Sequence, residues 1–382
     1  MSTGPVVGII GGGQLARMSQ PAAIALGVRL RVLALSPDES AAQVIPDVRL
    51  GRHVDLETLL AFADGCDVIT FDHEHVPTAH LDALAARVPV RPGARALVHA
   101  QDKITMREAL TAAGIPCPAW TVIDGADDLI AFADTVGWPV ILKTSRGGYD
   151  GRGVWRIDSA PLARQVLTDT PLTPGARWLV EAAVPFTREL AAQVARSPHG
   201  QAVAYPVVRT VQVDGICSEV VAPCPDLSDE HAVAAQEIAL RIAGLLGVEG
   251  MLAVELFDTP DGVLVNELAM RPHNSGHWSI DGAVTSQFEN HLRAVLDWPL
   301  GSPAALAPHA VMVNVLGGDV GELHSAYRHV MARDPALKVH LYGKEVRPGR
   351  KVGHVTVIGD DLSDLLERAH HAADYMTGVI DE

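Results

Sequence analysis

Residues 254–267 read VELFDTPDGVLVNE, and this stretch sets the architecture of the middle of the chain. Apolar residues flank a Pro-Asp-Gly turn sequence on both sides, which is typical of a β-hairpin. Residue 261, in the turn, is the midpoint between Glu255 and Glu267. The two glutamates are therefore predicted to face each other, or to lie one residue off, on the same face of the sheet.

This predicted pairing has a chemical consequence. Facing carboxylates among Leu, Val and Phe side chains repel each other and are costly to desolvate. A divalent cation resolves both problems, and Mg²⁺ prefers one or two carboxylates together with water and phosphate oxygens. We therefore predict that Glu255 and Glu267 are Mg²⁺ ligands; the alternative is two solvated surface glutamates.

Two polar loops follow the hairpin. Residues 270–277, MRPHNSGH, concentrate Arg, Asn, Ser and two His directly after the predicted metal site. Residues 342–354, YGKEVRPGRKVGH, place four cations within eight residues of an acidic chain. A solvated charge run is the ordinary interpretation of the second loop, but its Gly and Pro residues shape a tight turn suited to a phosphate.

A glycine-rich segment precedes the hairpin. Residues 143–153, KTSRGGYDGRG, follow a predicted strand that ends in Lys143 and carry four glycines in seven residues. Glycine lets backbone N–H groups approach an anion closely, and Arg146 and Arg152 add positive charge. The alternative is a surface hairpin with scattered arginines. The segment is not a Walker loop, because its spacing does not match G-x-x-x-x-G-K-[ST].

The N-terminal turn leaves three interpretations open. Residues 11–16, GGGQLA, follow the apolar strand VVGII and satisfy G-x-G-x-x-A at a strand-to-helix turn. A dinucleotide-binding site has an acidic residue at the end of the second strand. The nearest acidic residue here, Asp38, lies a few positions beyond that strand end. The turn therefore predicts a phosphate-bearing small molecule, NAD, or a purely structural glycine turn.

The order of the predicted elements indicates the fold class. The first hundred residues alternate short apolar strands with helices, which predicts a doubly wound parallel sheet. From residue 101 the pattern is α+β with hairpins, and the tail after residue 300 is strands plus a final helix. We expect an α/β plus α+β chain with domains at residues 1–100, 101–300 and 301–382.

Composition excludes several function classes. The 382 residues contain 30 Lys and Arg against 46 Asp and Glu, a net charge of −16. This balance argues against a general nucleic-acid or anionic-membrane binder, since both need a basic surface. The four cysteines form no C-x-x-C pair, and no stretch approaches the length of a membrane span. We expect a cytoplasmic protein with no nucleic-acid or membrane partner.

Five motifs occur together across nearly the whole chain: GGGQLARM, TFDHEHV, KTSRGGYDGRG, NELAMRPHNSGH and YGKEVRPGRKVGH. With them the sequence resembles the N5-carboxyaminoimidazole ribonucleotide synthase family of the ATP-grasp superfamily. The resemblance implies an ATP-grasp fold with an N-terminal Rossmann-like domain and a homodimer. It also implies the reaction: 5-aminoimidazole ribonucleotide and bicarbonate are the substrates, and ATP and Mg²⁺ are the cofactors. The products are the N5-carbamate, ADP and phosphate, and carboxyphosphate is the intermediate.

The resemblance also implies residue roles. A glycine flap from Gly148 to Val154 would close over the phosphates, and the backbone at 181–184 would form hydrogen bonds with the edge of the adenine base. The implied ATP site is Lys103, Lys143, Gly148, Tyr149, Asp150, Gly151, Arg152, Gly153, Val154, Glu181, Ala182, Ala183, Val184, Glu189, Gln212, Asn266 and Glu267. The implied ribonucleotide site is Gln14, Leu15, Glu74, His75, Tyr149, Asp150, Arg152, Lys344, Arg350 and Lys351. The implied catalytic groups are Lys143, Asp150, Arg271, His273 and Asn274.

The sequence departs from the family pattern at Ala16, Asp72, Met270 and Gln212, and at the pair Arg209-Thr210. The departures affect ATP contacts near residue 212 and leave the glutamate pair and the flap intact. Rival ligases are formate-dependent glycinamide ribonucleotide transformylase and biotin carboxylase, which lack this combination of motifs. An NAD-dependent oxidoreductase and a catalytically silent nucleotide-binding module are rivals of other classes.

Overall fold

The computed structural model describes residues 4–148, 152–318 and 320–381. Three predicted site residues, Tyr149, Asp150 and Gly151, lie outside the described residues. Within the described ranges the chain forms three β-sheets, of four, nine and four strands. In the same ranges, no helix combines the length and apolar character that crossing a membrane requires.

The first sheet is parallel, as the strand–helix alternation predicts, with strand order β3-β2-β1-β4. All five residues of β1 are buried, because helices cover the sheet. The short edge strand β3 and the helix α4, which begins after Gly93, are absent from the sequence prediction. The elements are β1 (Val6–Ile10), α1 (Gln14–Leu26), β2 (Arg29–Ala34), β3 (Asp47–Leu50), α2 (Leu56–Ala63), β4 (Val68–Phe71), α3 (Thr78–Ala85) and α4 (Ala94–Gln101).

The second sheet is antiparallel and carries the strand that ends in Lys143. Its strand order is β5-β8-β6-β7, and the helices α6 and α7 cover it around a core of its own. The helix α5 precedes it, and the Asp102 carboxylate accepts from the N–H groups of its first turn. The elements are α5 (Lys103–Ala112), β5 (Trp120–Ile123), α6 (Ala126–Val136), β6 (Val140–Thr144), β7 (Val154–Ile157), α7 (Ala160–Asp169) and β8 (Trp178–Ala182).

The large sheet runs in the order β14-β13-β9-β11-β12-β15-β17-β16, with β10 paired to β9. The C-terminal strands belong to this sheet, because β15 pairs with β12. The elements are β9 (Arg188–Arg196), β10 (Ala202–Ala204), β11 (Val208–Val213), β12 (Ile216–Ala222), α8 (Asp229–Leu245), β13 (Gly250–Thr259), β14 (Gly262–Ala269), α9 (Ser279–Gly282), α10 (Gln287–Val295), β15 (His309–Leu316), α11 (Tyr327–Arg333), β16 (Lys338–Leu341), β17 (Lys351–Gly359) and α12 (Leu362–Thr377).

One hydrophobic cluster joins the first sheet to the large sheet. It contains Phe71 of β4, Leu97 of α4, Met106 of α5, Leu190 of β9 and Val265 of β14, all buried. Because these side chains share one core, the carboxyl end of β4 and the start of α5 are fixed against the hairpin β13–β14. This packing brings the glycine turn, the helix α5 and the hairpin around one cleft.

Candidate active site

A cleft of about 1010 Å³ lies where the three sheets meet. Gln14 and Leu15 reach it from the first sheet, Lys143 from the second, and the hairpin from the large sheet. The predicted residues that line it are Gln14, Leu15, Glu74, His75, Lys103, Lys143, Gly148, Val154, Glu181, Ala182, Ala183, Val184, Glu189, Gln212, Glu255, Asn266, Glu267, Arg271, His273, Asn274 and Lys351.

The two hairpin glutamates are paired directly, Glu255 on β13 opposite Glu267 on β14. Their side chains are 32% and 42% exposed, so both carboxylates face the cleft. Both carboxylates reach solvent only inside the cleft, where the surrounding protein displaces much of their water. This desolvation, together with repulsion from Glu267 and Glu189, raises the pKa of Glu255 to about 7. Burial opposes ionisation of Glu267 too, but the Lys103 ammonium, 2.6 Å from its Oε1 atom, holds the pKa of Glu267 below its usual value.

A β-bulge shapes this pair. Glu255 pairs with Glu267 while Leu256 pairs with Val265, which leaves Asn266 as the extra residue of β14. In a regular strand, Asn266 and Glu267 would point to opposite faces of the sheet. The bulge turns the strand locally, so both residues line the cleft.

The donor set fits Mg²⁺. In the described part of the chain, no group of three or more His, Cys, Asp or Glu side chains converges as a metal cluster. The cleft instead offers two facing carboxylates, Glu255 and Glu267, that repel each other, with the Asn266 amide beside them. Mg²⁺ takes one or two carboxylates from proteins and its other ligands from water and phosphate oxygens.

Lys143 is held by a buried ion network. Its Nζ atom lies 2.7 Å from Glu181 Oε2 and donates to Asn266 Oδ1 at 3.1 Å. The Arg107 Nε atom lies 2.6 Å from Glu181 Oε1. Burial opposes ionisation of Glu181, but these two cations lower its pKa to about 2. The Glu181 side chain thus anchors Lys143 at the cleft.

Arg107 is a site-shaping residue that the sequence analysis missed. Its guanidinium is fully buried and donates to the carbonyls of Val265 and Asn266, at 3.0 and 2.8 Å. It therefore joins α5 to the bulge that aims Glu267. The available signal was its spacing of four residues from Lys103, which places both side chains on one face of the helix.

The loop after β14 is tied to the first sheet through Glu74. The Arg271 Nε atom donates to Glu74 Oε2 at 2.9 Å, and the backbone N–H of Met270 donates to Glu74 Oε1 at 3.1 Å. Burial alone would lower the pKa of Arg271, but the neighbouring Glu74 carboxylate outweighs it and raises the pKa of the guanidinium. Glu74 thus holds the guanidinium of Arg271 in place at the cleft.

The imidazole of His273 is neutral in this structure. Burial, then the cations Arg271 and Lys351, lower its pKa to about 3. The backbone N–H of Ser275 donates to its Nδ1 atom at 3.3 Å, so the ring proton sits on Nε2. That nitrogen lies 3.6 Å from Glu255 Oε1. The arrangement suits His273 for donating to an anion rather than for accepting a proton.

The C-terminal loop and the glycine flap each place only some of their predicted residues in the cleft. The Lys344 ammonium donates to Gln14 Oε1 and bridges the C-terminal loop to the glycine turn. The Arg350 guanidinium donates to the carbonyl of Glu345, away from the cleft. Of the flap residues that the structure describes, Gly148 and Val154 line the cleft, whereas Arg152 and Gly153 do not.

Three protein-family models match the chain in succession. They are the ribonucleotide synthetase preATP-grasp domain over residues 4–101, the ATP-grasp domain over residues 108–288, and the phosphoribosylaminoimidazole carboxylase C-terminal domain over residues 310–368. The N5-carboxyaminoimidazole ribonucleotide synthase of Mycobacterium tuberculosis is 54% identical over 382 residues, covering 98% of this chain and 88% of the relative. The chain belongs to the N5-carboxyaminoimidazole ribonucleotide synthase family.

Further relatives agree with this assignment. The synthase of Corynebacterium ammoniagenes is 46% identical, covering 98% of this chain and 92% of the relative. The Thermus thermophilus synthetase crystal structure is 37% identical with a TM-score of 0.86, covering 98% of this chain and 99% of that one. The Aspergillus clavatus synthase in complex with ADP and 5-aminoimidazole ribonucleotide is 31% identical with a TM-score of 0.89, covering 98% and 99%.

Membership in this synthase family confirms three predictions from the sequence: the family, the ATP-grasp fold class and the ATP-dependent ligase activity. Membership in the synthase family also rules out an NAD-dependent oxidoreductase, the rival interpretation of the GGGQLA turn. In the structure this turn instead presents Gln14 to the cleft shared with the hairpin.

Proposed function

We propose that this chain carboxylates 5-aminoimidazole ribonucleotide with bicarbonate, consuming ATP and releasing ADP and phosphate, in purine biosynthesis. One observation carries the proposal: a single cleft joins the facing pair Glu255 and Glu267 and the anchored Lys143 to the polar loop 270–277 and to Gln14. A nucleotide and a second anionic substrate can therefore meet in one enclosed space.

The chemistry proposed for this cleft begins with activation of bicarbonate, which is a poor electrophile because its carbon carries an electron-rich oxyanion. A bicarbonate oxygen attacks the γ-phosphorus of ATP, and ADP leaves, giving carboxyphosphate. Such transfer depends on positioning and charge neutralisation. Lys143 would offset charge on the phosphoryl oxygens, while Arg271, His273 and Asn274 would hold the bicarbonate.

The second step joins the two substrates. The amine of the ribonucleotide attacks the carboxy carbon of carboxyphosphate, or carbon dioxide released from it, and phosphate leaves as the nitrogen loses a proton. We propose Asp150 of the glycine flap as the group that takes this proton, on the ground of its position in the sequence. The other candidate, His273, is held neutral by burial, which lowers its pKa to about 3, and is assigned to bicarbonate instead. The glycine flap would exclude water from the labile intermediate.

Mg²⁺ is the proposed cofactor, held by Glu255 and Glu267 with Asn266 beside them. When bound, it supplies Lewis-acid neutralisation of the ATP phosphates. The chain's own part is to keep two carboxylates facing each other across the hairpin and to place Lys103 where it shields Glu267 when no nucleotide is present.

The other assignments belong to the same proposal. Residues 181–184 would bind the adenine, Glu189 the ribose, and Gln14, Glu74 and His75 the ribonucleotide. Lys344 and Lys351 would neutralise its 5′-phosphate. Arg350, whose guanidinium donates to the Glu345 carbonyl outside the cleft, would join them only by turning toward the bound phosphate. We further propose a cytoplasmic homodimer with domain boundaries near residues 100 and 300. Light scattering of the purified chain tests the dimer, and cell fractionation tests the location.

A coupled assay tests the proposed reaction. ADP release is measured with the ribonucleotide and bicarbonate, then with formate replacing bicarbonate, and each time with the matching acceptor left out. We expect ADP release to require bicarbonate and to rise strongly with 5-aminoimidazole ribonucleotide. Equal turnover with formate would favour a transformylase, and turnover that ignores the ribonucleotide would refute the proposal.

A further inference from the structure

The loop that joins β14 to α10 contains His277, a residue without a role in the reaction as proposed above. His277 lines the cleft and is 1% exposed; its ring stacks on Phe288 with a centroid distance of 5.7 Å and lies 5.2 Å from the ring of His354. In the described part of the chain, its Nε2 atom has no hydrogen-bond partner. An unpaired buried polar atom costs free energy and calls for an explanation.

Gln287 settles which nitrogen of His277 carries the proton. The Gln287 Oε1 atom accepts from the backbone N–H of His273 at 2.8 Å, which orients the amide. The Gln287 NH₂ group then donates to the His273 carbonyl at 2.8 Å and to His277 Nδ1 at 3.0 Å. Because Nδ1 accepts, the neutral ring has its proton on Nε2. Burial, with Lys351 nearby, holds the pKa of His277 well below its usual value, so the ring stays neutral.

A second buried donor lies one helical turn away. Asn274 lines the same cleft, and its Nδ2 atom has no oxygen or nitrogen acceptor among the described residues, only the weakly accepting thiol of Cys217 close by. The loop between them cannot relax easily, because a Cβ atom on Gly276 would lie 2.4 Å from the side chains of both Gln193 and Gln287. Two fixed neutral donors on the same loop as the cation Arg271 suit an anionic oxygen.

We propose that His277 is a further substrate-binding residue, donating from Nε2 to an anionic oxygen of bicarbonate or of the carboxy group made from it. Gln287 is then a positioning residue that keeps His277 in the donating tautomer and holds the backbone of His273. A carboxylate-type anion is favoured over the ribonucleotide, because the donors share one short loop with Arg271 and His273. The inference rests on the proposed function.

The test compares His277→Phe, which keeps a ring of similar size without the donor, with His277→Gln, whose amide nitrogen can reach the Nε2 position. At saturating ATP and ribonucleotide, we expect His277→Phe to raise the KM for bicarbonate by about tenfold or more, the loss of one hydrogen bond to a charged group. The KM for ATP should stay within about twofold, and His277→Gln should recover most of the loss. An unchanged bicarbonate KM in His277→Phe, or an equal rise for ATP, overturns the proposal.

A measurement on the unmodified chain covers the case in which His277→Phe does not fold. Side-chain nitrogen NMR should show His277 protonated at Nε2 and should show that resonance shift when bicarbonate is added with ADP. Gln287→Glu should move the proton to Nδ1 and raise the bicarbonate KM, because a carboxylate can only accept from His277. A resonance that does not respond to bicarbonate overturns the proposal. Wild-type chain without bicarbonate-dependent ADP release would instead refute the proposed function itself.

Discussion

Substituting Arg107 with Met removes the buried cation that joins α5 to the hairpin β13–β14. The guanidinium is fully buried, its partner Glu181 is 3% exposed, and the two groups lie 2.6 Å apart. The same side chain also satisfies the carbonyls of Val265 and Asn266. The substitution therefore leaves a carboxylate with one of its two cations and leaves two carbonyls without their donor.

The magnitude follows from these contacts. Breaking a buried ion pair from one side costs about 3–5 kcal/mol. Glu181 keeps Lys143, which favours the lower end, while the two orphaned carbonyls add about 1 kcal/mol each. We expect a total loss of about 5 kcal/mol, which lowers the melting midpoint by roughly 6 °C in a chain of this size.

A second variant separates stability from chemistry. Arg107→Met combined with Glu181→Leu leaves no unpaired carboxylate, but it leaves the Lys143 ammonium without its ion-pair partner and two carbonyls without their donor, so only part of the lost stability should return. Lys143 then lacks its anchor, and kcat/KM for ATP should stay at least about tenfold below wild type. The assays are thermal unfolding and steady-state ADP release. An Arg107→Met midpoint within about 1 °C of wild type, or wild-type ATP turnover in the double variant, would refute the reasoning.

Two further predictions concern the metal site and the C-terminal loop. The pKa of Glu255, raised to about 7 by burial and by the facing carboxylate, means that this group is mostly protonated at pH 6 and mostly ionised at pH 8. The apparent Mg²⁺ activation constant, corrected for protonation of ATP, should therefore rise about tenfold from pH 8 to pH 6; a constant value would contradict it. Gln43 Nε2 donates to the Gly343 carbonyl at 2.7 Å and so holds the loop that carries Lys344. Gln43→Ala should raise the KM for the ribonucleotide about 2–10-fold without changing that for ATP, whereas the exposed control Gln165→Ala should change neither; equal effects on both substrates would show a general loss of folding.

The features predicted correctly from sequence depend on short-range order. A tight turn brings Glu255 and Glu267 to within one residue of each other, because a hairpin turn fixes the register of the strands beside it. Their direct pairing then comes from the bulge at Asn266, which shifts the register by one residue. The parallel first sheet follows from apolar strands that alternate with amphipathic helices. The edge strand β3 was missed because Asp47–Leu50 carries only two apolar residues and is half exposed.

The contacts that escaped prediction join residues far apart in the sequence. Arg271 meets Glu74 across 197 residues, and Arg107 meets the Val265 carbonyl across 158. Local periodicity carries no information on such pairs, because they depend on how whole sheets pack together. The bulge at Asn266 was missed for a related reason: regular alternation of side chains is assumed in reading a strand, and a bulge breaks it.

Metal binding by the purified chain tests the central claim most directly. Mn²⁺ can stand in for Mg²⁺, and its binding in the presence of ADP can be followed by electron paramagnetic resonance. The variant Glu255→Ala with Glu267→Ala should lose this binding and all ATP turnover while keeping its melting midpoint, and the exposed control Glu237→Ala should behave as wild type. Wild-type Mn²⁺ affinity and turnover in the double variant would contradict the account.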